Sequence, residues 1–496
     1  MEKIDNLKQQ RIEKLDRVRE LGVNPYPTKF ERTDLVEIIK ENFEEKKAVK
    51  IAGRIISMRK MGKAAFFNVK DFSGKMQVYI QKDSVGEDNF AVFKCLDIGD
   101  FVGVYGYLFI TQTGEQSLHA DKIEVLTKSL KALPVVKEKE NESGEMVKYD
   151  EVSDVEFRYR QRYVDLNINE ESMQVFKKRS QIISFVRNYL VKANFLEVET
   201  PIMQPLCGGA AAKPFATHHN ALDMPLFLRI APELYLKRLI VGGMDRVFEI
   251  GRNFRNEGIS TRHNPEFTML ELYQSYADYY DMMDLSENLI RACVKEVNDG
   301  KTIVPVGDVE VDFSKWTRIK MEDLFKKYAD VDFSLLEDLA GIKKVADKLH
   351  IKYEDNATIQ KIYDLILEEK IEHHLIQPTI VYDFPKAWSP LAKEKFDNPK
   401  IAERFEIYIT AREIGNAYSE LNNPIEQKIR MEEQAEAKEL GDDEACDVDY
   451  DFLRALDYGM PPCGGLGIGI DRLVMLCTNS QSIRDVILFP HLRKEK

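Results

Sequence analysis

The sequence has few cysteines and no long apolar run. Its six cysteines form no C-x-x-C pair and do not alternate with histidine at zinc-ligand spacing, which argues against a disulfide framework and a zinc finger. No stretch approaches the ~20 consecutive apolar residues that span a bilayer, and the charged N-terminus lacks the apolar run of a signal peptide. These absences predict a cytoplasmic protein with reduced thiols and no membrane span.

Positive charge is also scarce. The 496 residues contain 71 Lys+Arg against 84 Asp+Glu, a net charge of −13, whereas nucleic-acid binders usually carry a basic surface. Residues 1–150 hold 26 basic and 25 acidic side chains, which leaves 45 basic and 59 acidic ones, or −14, for residues 151–496. The acidity therefore belongs to the larger C-terminal part, and the near-neutral N-terminal part remains compatible with a nucleic-acid partner.

The first third of the chain divides into three segments. Residues 1–48 begin with an amphipathic helix, because apolar residues recur at helical spacing over the first 22 positions. Residues 49–136 hold five short β-branched or aromatic runs separated by glycine-containing turns, a pattern typical of a closed all-β barrel of the OB type. The highly charged segment 137–155 is predicted to be an exposed linker.

Residues 156–496 mix helices and strands without regular alternation, which favours an α+β domain with a largely antiparallel sheet. The predicted elements are a helix over 173–194, a strand in FLEVET, strands over 249–255 and 267–273, a mostly helical insertion at about 316–376, strands in TIVYDF, RFEIYITA and REIGNAYSEL, a helix from Pro424, and a glycine-alternating strand that runs into a helix in CGGLGIGIDRLVML.

Two groups of residues in this part can bind a nucleotide, although the P-loop and the dinucleotide fingerprint are absent. Alternate glycines at 465–469 leave one face of a strand bare, which suits a flat ring or close sheet packing, and Arg472 directly after them suits phosphate. Arg255, Arg262 and His263 in a strand–loop–strand can clamp triphosphate oxygens while Phe267 stacks on a base. Each residue alone is more often a surface or core residue, but together they favour a nucleotide site.

Glu406, Glu413 and Glu420 form an acidic series. A turn near 409–411 would make Glu406 and Glu413 cross-strand neighbours, and two adjacent carboxylates favour a cation between them. Mg²⁺ bridging ATP phosphates is a suitable hard cation. A surface ladder of unrelated charges is the alternative interpretation.

Taken in order, these motifs resemble those of the class II aminoacyl-tRNA synthetases, most closely the bacterial-type lysyl-tRNA synthetases. The resemblance covers the N-terminal helix, the barrel, the helix and strand ending at Pro201, the F-R-x-E signature within 254–267 and G-x-G-x-G-x-x-R at 465–472, while the class I peptides HIGH and KMSKS are absent. It implies a class II antiparallel sheet flanked by helices, preceded by an OB-fold barrel that binds the anticodon. The implied reaction activates L-lysine with ATP and transfers it to the 3′ end of lysine tRNA.

The resemblance also implies roles for the ATP-site residues. Arg255 would hold the α-phosphate and Arg472 the γ-phosphate, and both are the expected catalytic residues. The full expected set is Arg255, Glu257, His263, Phe267 and Arg472 for ATP, with Phe267 stacked on adenine, and Glu406 and Glu413 for Mg²⁺.

The amino-acid side chain can be inferred from charge. A lysine site must offer carboxylates to an ammonium group, whereas an aspartate site must offer cations. By the resemblance, Glu233 faces the α-amino group and Glu420 the ε-ammonium; the aspartyl relatives would have glutamine in place of Glu233. The expected lysine-binding residues are Gly208, Glu233, Glu271, Tyr273, Asn416 and Glu420.

Two further expectations concern partners. Strand alternation sends Phe66 and Phe67 to opposite faces, so we expect Phe66, with Gln77, to contact unpaired anticodon bases. The first motif builds a homodimer in the family, which makes the helix and strand at 173–201 the predicted interface. Two alternatives stay open here: an aspartyl- or asparaginyl-tRNA synthetase, and a catalytically inactive tRNA-binding regulator.

Overall fold

The computed structural model describes residues 6–134, 137–140, 146–149, 154–336, 338–354, 357–439 and 446–495. The chain divides into two compact units, Met1–Arg158 with Tyr163–Ile168 and Tyr159–Arg162 with Asn169–Lys496. Every helix among the described residues is too short or too polar to cross a membrane.

The first unit contains the predicted five-stranded closed barrel, in the order β1-β2-β3-β5-β4. Alternate residues of its strands are buried, so the barrel is filled by Phe67, Val78 and similar apolar side chains. The elements of this part are helices α1 (Asn6–Glu20), α2 (Val36–Glu41) and α3 (Lys82–Lys94) and strands β1 (Ala48–Met61), β2 (Ala64–Lys70), β3 (Lys75–Gln81), β4 (Phe101–Ile110) and β5 (Gln116–Thr127).

The N-terminal helix is confirmed as α1, and it packs against the barrel. Leu15 and Val18 are buried, as the apolar spacing predicts. Arg11 is buried as well, since its guanidinium donates to the carbonyl oxygens of Ser129 at 2.8 Å and Ile98 at 2.9 Å.

Part of the segment predicted to be an exposed linker forms two paired strands instead of irregular backbone. Strands β6 (Lys137–Glu140) and β7 (Met146–Tyr149) pair as an antiparallel ladder. High charge argues against a buried core, but a two-stranded ladder satisfies its backbone groups without one. The remainder of the predicted linker lies largely outside the described residues.

The second unit is built on an eight-stranded sheet in the order β16-β17-β18-β19-β20-β13-β12-β8. Only the pairs β16–β17 and β12–β8 are parallel among them, which confirms the predicted antiparallel α+β architecture. The strands are β8 (Leu196–Glu197), β12 (Arg246–Phe254), β13 (Glu266–Ser275), β16 (Thr317–Lys320), β17 (Thr379–Pro385), β18 (Ile401–Tyr408), β19 (Glu413–Ser419) and β20 (Cys463–Gly469).

Helices and small sheets surround this sheet. The small sheets comprise β9 (Met203–Gln204), β10 (Phe215–His219) and β11 (Met224–Leu228), and β14 (Ile303–Val306) with β15 (Val309–Asp312). The α-helices of the second unit are α6 (Glu170–Lys192), α7 (Glu233–Val241), α8 (Tyr279–Val297), α9 (Met321–Ala329), α10 (Leu339–Lys348), α11 (Ile359–Ile366), α12 (Pro424–Glu439), α13 (Tyr450–Asp457), α14 (Ile470–Thr478) and α15 (Ile483–Val486). Helices α4 (Val155–Arg160) and α5 (Arg162–Ile168) span the boundary between the two units in the sequence.

The two faces of the sheet differ in chemistry because side chains alternate along a strand. One face packs against α6, α8 and α14 in the main apolar core, to which β13 contributes Leu270 and Leu272 and β20 contributes Leu466 and Ile468. The intervening residues of these strands, among them Glu271, therefore point to the opposite face, where the cleft described below lies.

One sequence prediction of an element needs correction. The FLEVET strand is only two residues long, Leu196–Glu197, and it is followed by Pro201, which has no N–H to donate to a ladder. The insertion at 316–376 is mostly helical, as predicted, after an initial strand β16 that pairs with β17 at the sheet edge.

Candidate active site and barrel face

A cleft of about 1000 Å³ lies over the polar face of the sheet in the second unit. All thirteen residues predicted for the ATP, metal and lysine sites line it, although they come from segments more than 260 positions apart. They are Gly208, Glu233, Arg255, Glu257, His263, Phe267, Glu271, Tyr273, Glu406, Glu413, Asn416, Glu420 and Arg472.

A β-bulge brings Glu413 to this face. The predicted turn is present, since Ile409 and Arg412 exchange backbone hydrogen bonds of 3.0 and 3.2 Å. The register between β18 and β19 then shifts by one residue, so Glu406 lies opposite Asn416 and Tyr408 lies opposite Glu413. Glu406 and Glu413 are therefore cross-strand neighbours, as predicted for a hairpin; they are diagonal neighbours on one face, because a bulge residue changes the alternation.

The glycine-alternating strand β20 makes room for side chains of its neighbours. A Cβ at Gly465 would overlap the Oε1 atom of Glu420 and lie 2.7 Å from Cε1 of Tyr273. A Cβ at Gly467 would lie 3.3 Å from Oδ1 of Asn416. The bare face expected from the glycines is thus largely filled by the protein's own polar groups.

Arg255 and Phe267 face each other in the part of the cleft next to the end of β12. The Arg255 guanidinium lies 5.2 Å from the centre of the half-buried Phe267 ring. The Nε atom of Arg255 is buried and has no hydrogen-bond partner among the described residues. A buried unpaired donor on a permanently charged side chain suits an anionic ligand.

Arg472 lies at the start of α14, between Glu413, which is predicted to bind Mg²⁺, and His263, which is predicted to bind ATP. Its guanidinium donates to the carbonyl oxygen of Glu413 at 2.5 Å and lies 3.4 Å from Nε2 of His263. The neighbouring Asp471 is buried and accepts from Arg179 at 2.6 Å and from the Thr268 backbone at 2.7 Å, which fixes this helix end against the sheet. Burial and the adjacent Arg472 charge lower the pKa of His263.

The helical insertion contributes to the cleft, a feature that had no sequence signal. Glu368 and Glu372, near a π-helical turn at Leu367–Ile371, line it, and the carboxylate of Glu372 lies 3.7 Å from Arg262. Burial is the main cause that raises the pKa of Glu372 to about 7. The insertion therefore faces the same arginine-rich end of the cleft as Arg472.

Glu406 is a buried carboxylate with two protein partners. Arg404 donates to one oxygen at 2.6 Å and the Tyr408 hydroxyl to the other at 2.6 Å. Burial raises the pKa of Glu406, and the Glu413 charge adds to this increase. No group of three or more potential His, Cys, Asp or Glu ligands gathers among the described residues, so a cation between Glu406 and Glu413 would take its other ligands from a substrate or water.

Glu271 lies at the centre of the sheet without a cation. It is directly opposite Glu249 in the ladder, but Glu249 is neutralised by a buried ion pair with Arg229 at 2.5 Å. Glu271 itself has no ion-pair partner among the described residues, and the Tyr273 hydroxyl donates to it at 3.4 Å. Burial, and then the charge of Glu233, raises the pKa of Glu271 to about 8.

Glu233 and Glu420 share a buried lysine that the sequence prediction did not include. The Lys237 ammonium lies 2.6 Å from Glu233 and also forms an ion pair with Glu420, and all three side chains are buried. The available signal was the i, i+4 spacing of Glu233 and Lys237, which places the two side chains on one face if the segment is helical. Gly208 and Gly209 pack against the start of this helix, since a Cβ at Gly208 would lie 2.6 Å from Leu234.

The barrel presents a continuous row of side chains on its outer face. The strand register joins Arg59, Phe66, Tyr79, His119 and Tyr107 across all five strands. Ring centres lie 4.9 Å apart between Phe66 and Tyr79 and 5.4 Å apart between Tyr79 and His119, and Tyr107 stacks on His119 at 4.7 Å.

The structure agrees with the expectation that only one of the two adjacent phenylalanines is accessible. Phe67 is buried in the barrel core, whereas Phe66 is partly exposed. The side chain of Gln77 is held close to the row by Glu115 at 2.8 Å and Ser117 at 2.9 Å.

Comparison with known proteins identifies both units. Residues 154–493 match the family model of the class II tRNA synthetases (D, K and N), and residues 49–126 match that of the OB-fold nucleic acid binding domain. A lysine–tRNA ligase of Syntrophomonas wolfei is 52% identical over 99% of this chain and 97% of its own. Lysine–tRNA ligases of Staphylococcus saprophyticus and Carboxydothermus hydrogenoformans are 49% and 50% identical over 99–100% of both chains. The chain therefore belongs to the class II tRNA synthetases, in the group of the lysine–tRNA ligases.

Proposed function

We infer that the protein activates L-lysine with ATP and transfers the lysyl group to the 3′-terminal ribose of lysine tRNA. The observation that carries this inference is the buried pocket beside Arg255, which is lined by three carboxylates, those of Glu233, Glu271 and Glu420, while the ammonium of Lys237 behind it pairs with only two of them. Such a pocket attracts a substrate with two ammonium groups and repels the side-chain carboxylate of aspartate. Amino-acid-dependent exchange between ATP and pyrophosphate tests it, as set out at the end of the Discussion.

ATP occupies the arginine-rich half of the cleft in this proposal. Phe267 stacks on the adenine, Arg255 holds the α-phosphate, and Arg472 holds the γ-phosphate with His263. The unpaired Nε of Arg255 and the half-buried Phe267 ring support this arrangement. Glu257 lines the same part of the cleft, and we add Arg262 as a further phosphate ligand.

Glu406 and Glu413 would hold Mg²⁺. Their arrangement fits this ion, because Mg²⁺ is usually bound by one or two carboxylates together with substrate phosphates and because Glu413 raises the pKa of the buried Glu406. When bound, the ion neutralises the charge of the ATP phosphates and of the departing pyrophosphate.

Lysine occupies the carboxylate-rich half. Glu233 accepts from the α-amino group beside the Gly208 backbone, and Arg255 and Asn416 orient the α-carboxylate. Glu271, Glu420 and the Tyr273 hydroxyl surround the ε-ammonium. The buried Glu271 carboxyl, which has no ion-pair partner among the described residues, supports this placement.

Two displacement steps follow from this geometry. The lysine carboxylate attacks the α-phosphorus in line, and pyrophosphate leaves from the opposite side. The terminal ribose hydroxyl of tRNA then attacks the carbonyl carbon of the lysyl-adenylate, and AMP leaves. Orientation and charge stabilisation by Arg255 and Arg472 account for both steps without a protein nucleophile. We expect the reaction in the cytoplasm, where these substrates meet.

Lysine binding is expected to tighten as pH rises towards about 8. Burial holds the pKa of Glu271 at about 8 in the empty pocket, so this carboxyl is protonated at neutral pH and must release its proton to accept an ammonium. The dissociation constant of lysine should therefore fall by up to about tenfold per pH unit between about pH 6 and 8, and level off above that. Calorimetric titration across this range measures it. Glu271→Gln should bind lysine weakly at every pH, and a wild-type constant independent of pH would contradict the placement of Glu271.

The barrel face is proposed to bind the anticodon. Phe66→Ala should raise the Michaelis constant for tRNA about 5- to 150-fold, because stacking on an aromatic ring contributes about 1–3 kcal/mol per base. Pyrophosphate exchange, which needs no tRNA, should stay unchanged. Phe72→Ala removes another exposed aromatic of the same unit and serves as the control. Equal effects of the two substitutions on tRNA would remove Phe66 from the anticodon site.

We propose that a homodimer forms through the first motif. Exposed apolar side chains follow one another from the end of α6 to β9, namely Val191, Leu196, Ile202 and Met203. Leu196→Asp should shift the mass in light scattering from that of a dimer towards that of a monomer. A monomeric wild-type protein at micromolar concentration would refute this interface.

A further inference from the structure

Lys237 lies behind the proposed lysine pocket rather than in it. It is in the second turn of α7, its side chain is fully buried, and it does not line the cleft. Its two ion-pair partners, Glu233 and Glu420, do line the cleft, and its ammonium lies 5.5 Å from the centre of the Tyr418 ring. A fully buried lysine is rare unless it is paired, and here it is paired with two predicted substrate ligands.

Each glutamate uses one oxygen for Lys237. Oε1 of Glu233 and Oε2 of Glu420 contact the ammonium, which ties α7 to the strand end after β19. The other oxygen of Glu420, Oε1, lies over Gly465 and has no hydrogen-bond donor among the described residues. In Glu420, one oxygen is thus held by Lys237 while the other has no donor from the described part of the protein.

The charges of the pocket can be counted. Glu233, Glu271 and Glu420 supply three carboxylates, and Lys237 supplies one ammonium. The neighbouring Glu249 is already neutralised by Arg229 and adds nothing. Once Glu271 has released its proton, two negative charges therefore remain for a ligand, and lysine carries two ammonium groups, while its carboxylate faces Arg255.

We propose that Lys237 is a positioning residue that determines amino-acid specificity: its ammonium orients Glu233 and Glu420 and leaves the pocket two negative charges, the number that lysine neutralises. This inference rests on the proposed lysine-activating reaction. Lys237 acts through the two glutamates and does not touch the substrate. Without it, a third buried carboxylate lacks a cation, and a buried charge without a counter-ion is costly enough for the group to take up a proton.

The test is Lys237→Met, which keeps the length and apolar stem of the side chain but removes its charge. We expect the Michaelis constant for lysine to rise at least tenfold in pyrophosphate exchange, with that for ATP changed less than twofold. Lys128→Met is the matched control, because Lys128 is also fully buried between two carboxylates, Asp97 at 2.6 Å and Asp100 at 2.7 Å, but in the barrel. It should leave both constants unchanged.

Chemical rescue separates charge from packing. Lys237→Ala lacks three side-chain carbons and the ammonium, which n-propylammonium supplies, so added propylammonium should restore lysine-dependent exchange at least fivefold and 1-propanol should not. If Lys237→Met does not fold, Lys237→Ala prepared in propylammonium takes its place. Equal rescue by both compounds, equal rises in the two Michaelis constants, or an unchanged lysine constant would overturn the proposal. A wild-type enzyme without lysine-dependent exchange would instead refute the proposed function.

Discussion

Arg255→Ala is expected to slow lysyl-adenylate formation about 10²- to 10³-fold, the usual cost of removing one donor that stabilises charge in a transition state. Arg255 is proposed to hold both the lysine carboxylate and the α-phosphate, the two groups between which the new bond forms. Its buried Nε, which has no partner among the described residues, points to a ligand as the missing acceptor. The loss of rate should therefore appear mainly in kcat rather than in the Michaelis constants. The rate of adenylate formation in a single turnover measures it.

Arg252→Ala is the matched control for this prediction. Arg252 is on β12, three residues before Arg255, but it lies 3.7 Å from the carboxylate of Glu266 and does not line the cleft. Its substitution should change the rate less than threefold. A rate for Arg255→Ala within tenfold of the wild type would place the α-phosphate elsewhere.

Glu420→Gln is expected to raise the Michaelis constant for lysine about 10- to 150-fold and to leave that for ATP nearly unchanged. The substitution removes a charge-assisted hydrogen bond to the ε-ammonium, which contributes about 1.5–3 kcal/mol. The shape of the side chain is kept, so the close fit of Glu420 over Gly465 is retained. Steady-state pyrophosphate exchange with varied lysine and varied ATP measures both constants.

The control for Glu420→Gln is Glu266→Gln. Glu266 is on β13 and does not line the cleft. The control substitution should alter neither constant more than twofold. An unchanged lysine constant in Glu420→Gln would remove this residue from the pocket, and equal rises for lysine and ATP would indicate a general distortion of the cleft.

The sheet and the main part of the cleft could be predicted because they depend on local patterns. Alternation along β13 determines that Leu270 and Leu272 enter the core while Glu271 and Tyr273 face the opposite side. Any sheet that places these strands side by side will gather the polar residues on one face. The strand residues Phe267, Glu271, Tyr273, Glu406 and Asn416 line one cleft for this reason.

Other features depend on register and on long-range packing, which local patterns do not specify. The bulge in β19 decides whether Glu413 joins the face of Asn416, and a shift by one residue would send it into the core. Glu372 reaches Arg262 only because the insertion folds over the cleft, more than 100 residues further along the chain. The ion pair between Lys237 and Glu420 joins a helix to a strand end 183 positions away, and only the Glu233 half of that triad had a sequence signal.

The central claim is that this cleft activates lysine, and amino-acid-dependent ATP–pyrophosphate exchange tests it most directly. The purified protein would be assayed with Mg²⁺, ATP and labelled pyrophosphate against each of the twenty amino acids in turn. Exchange should require lysine, and aspartate and asparagine should support no more than the background rate. Exchange that depends on aspartate or asparagine, or none with any amino acid, would contradict the account.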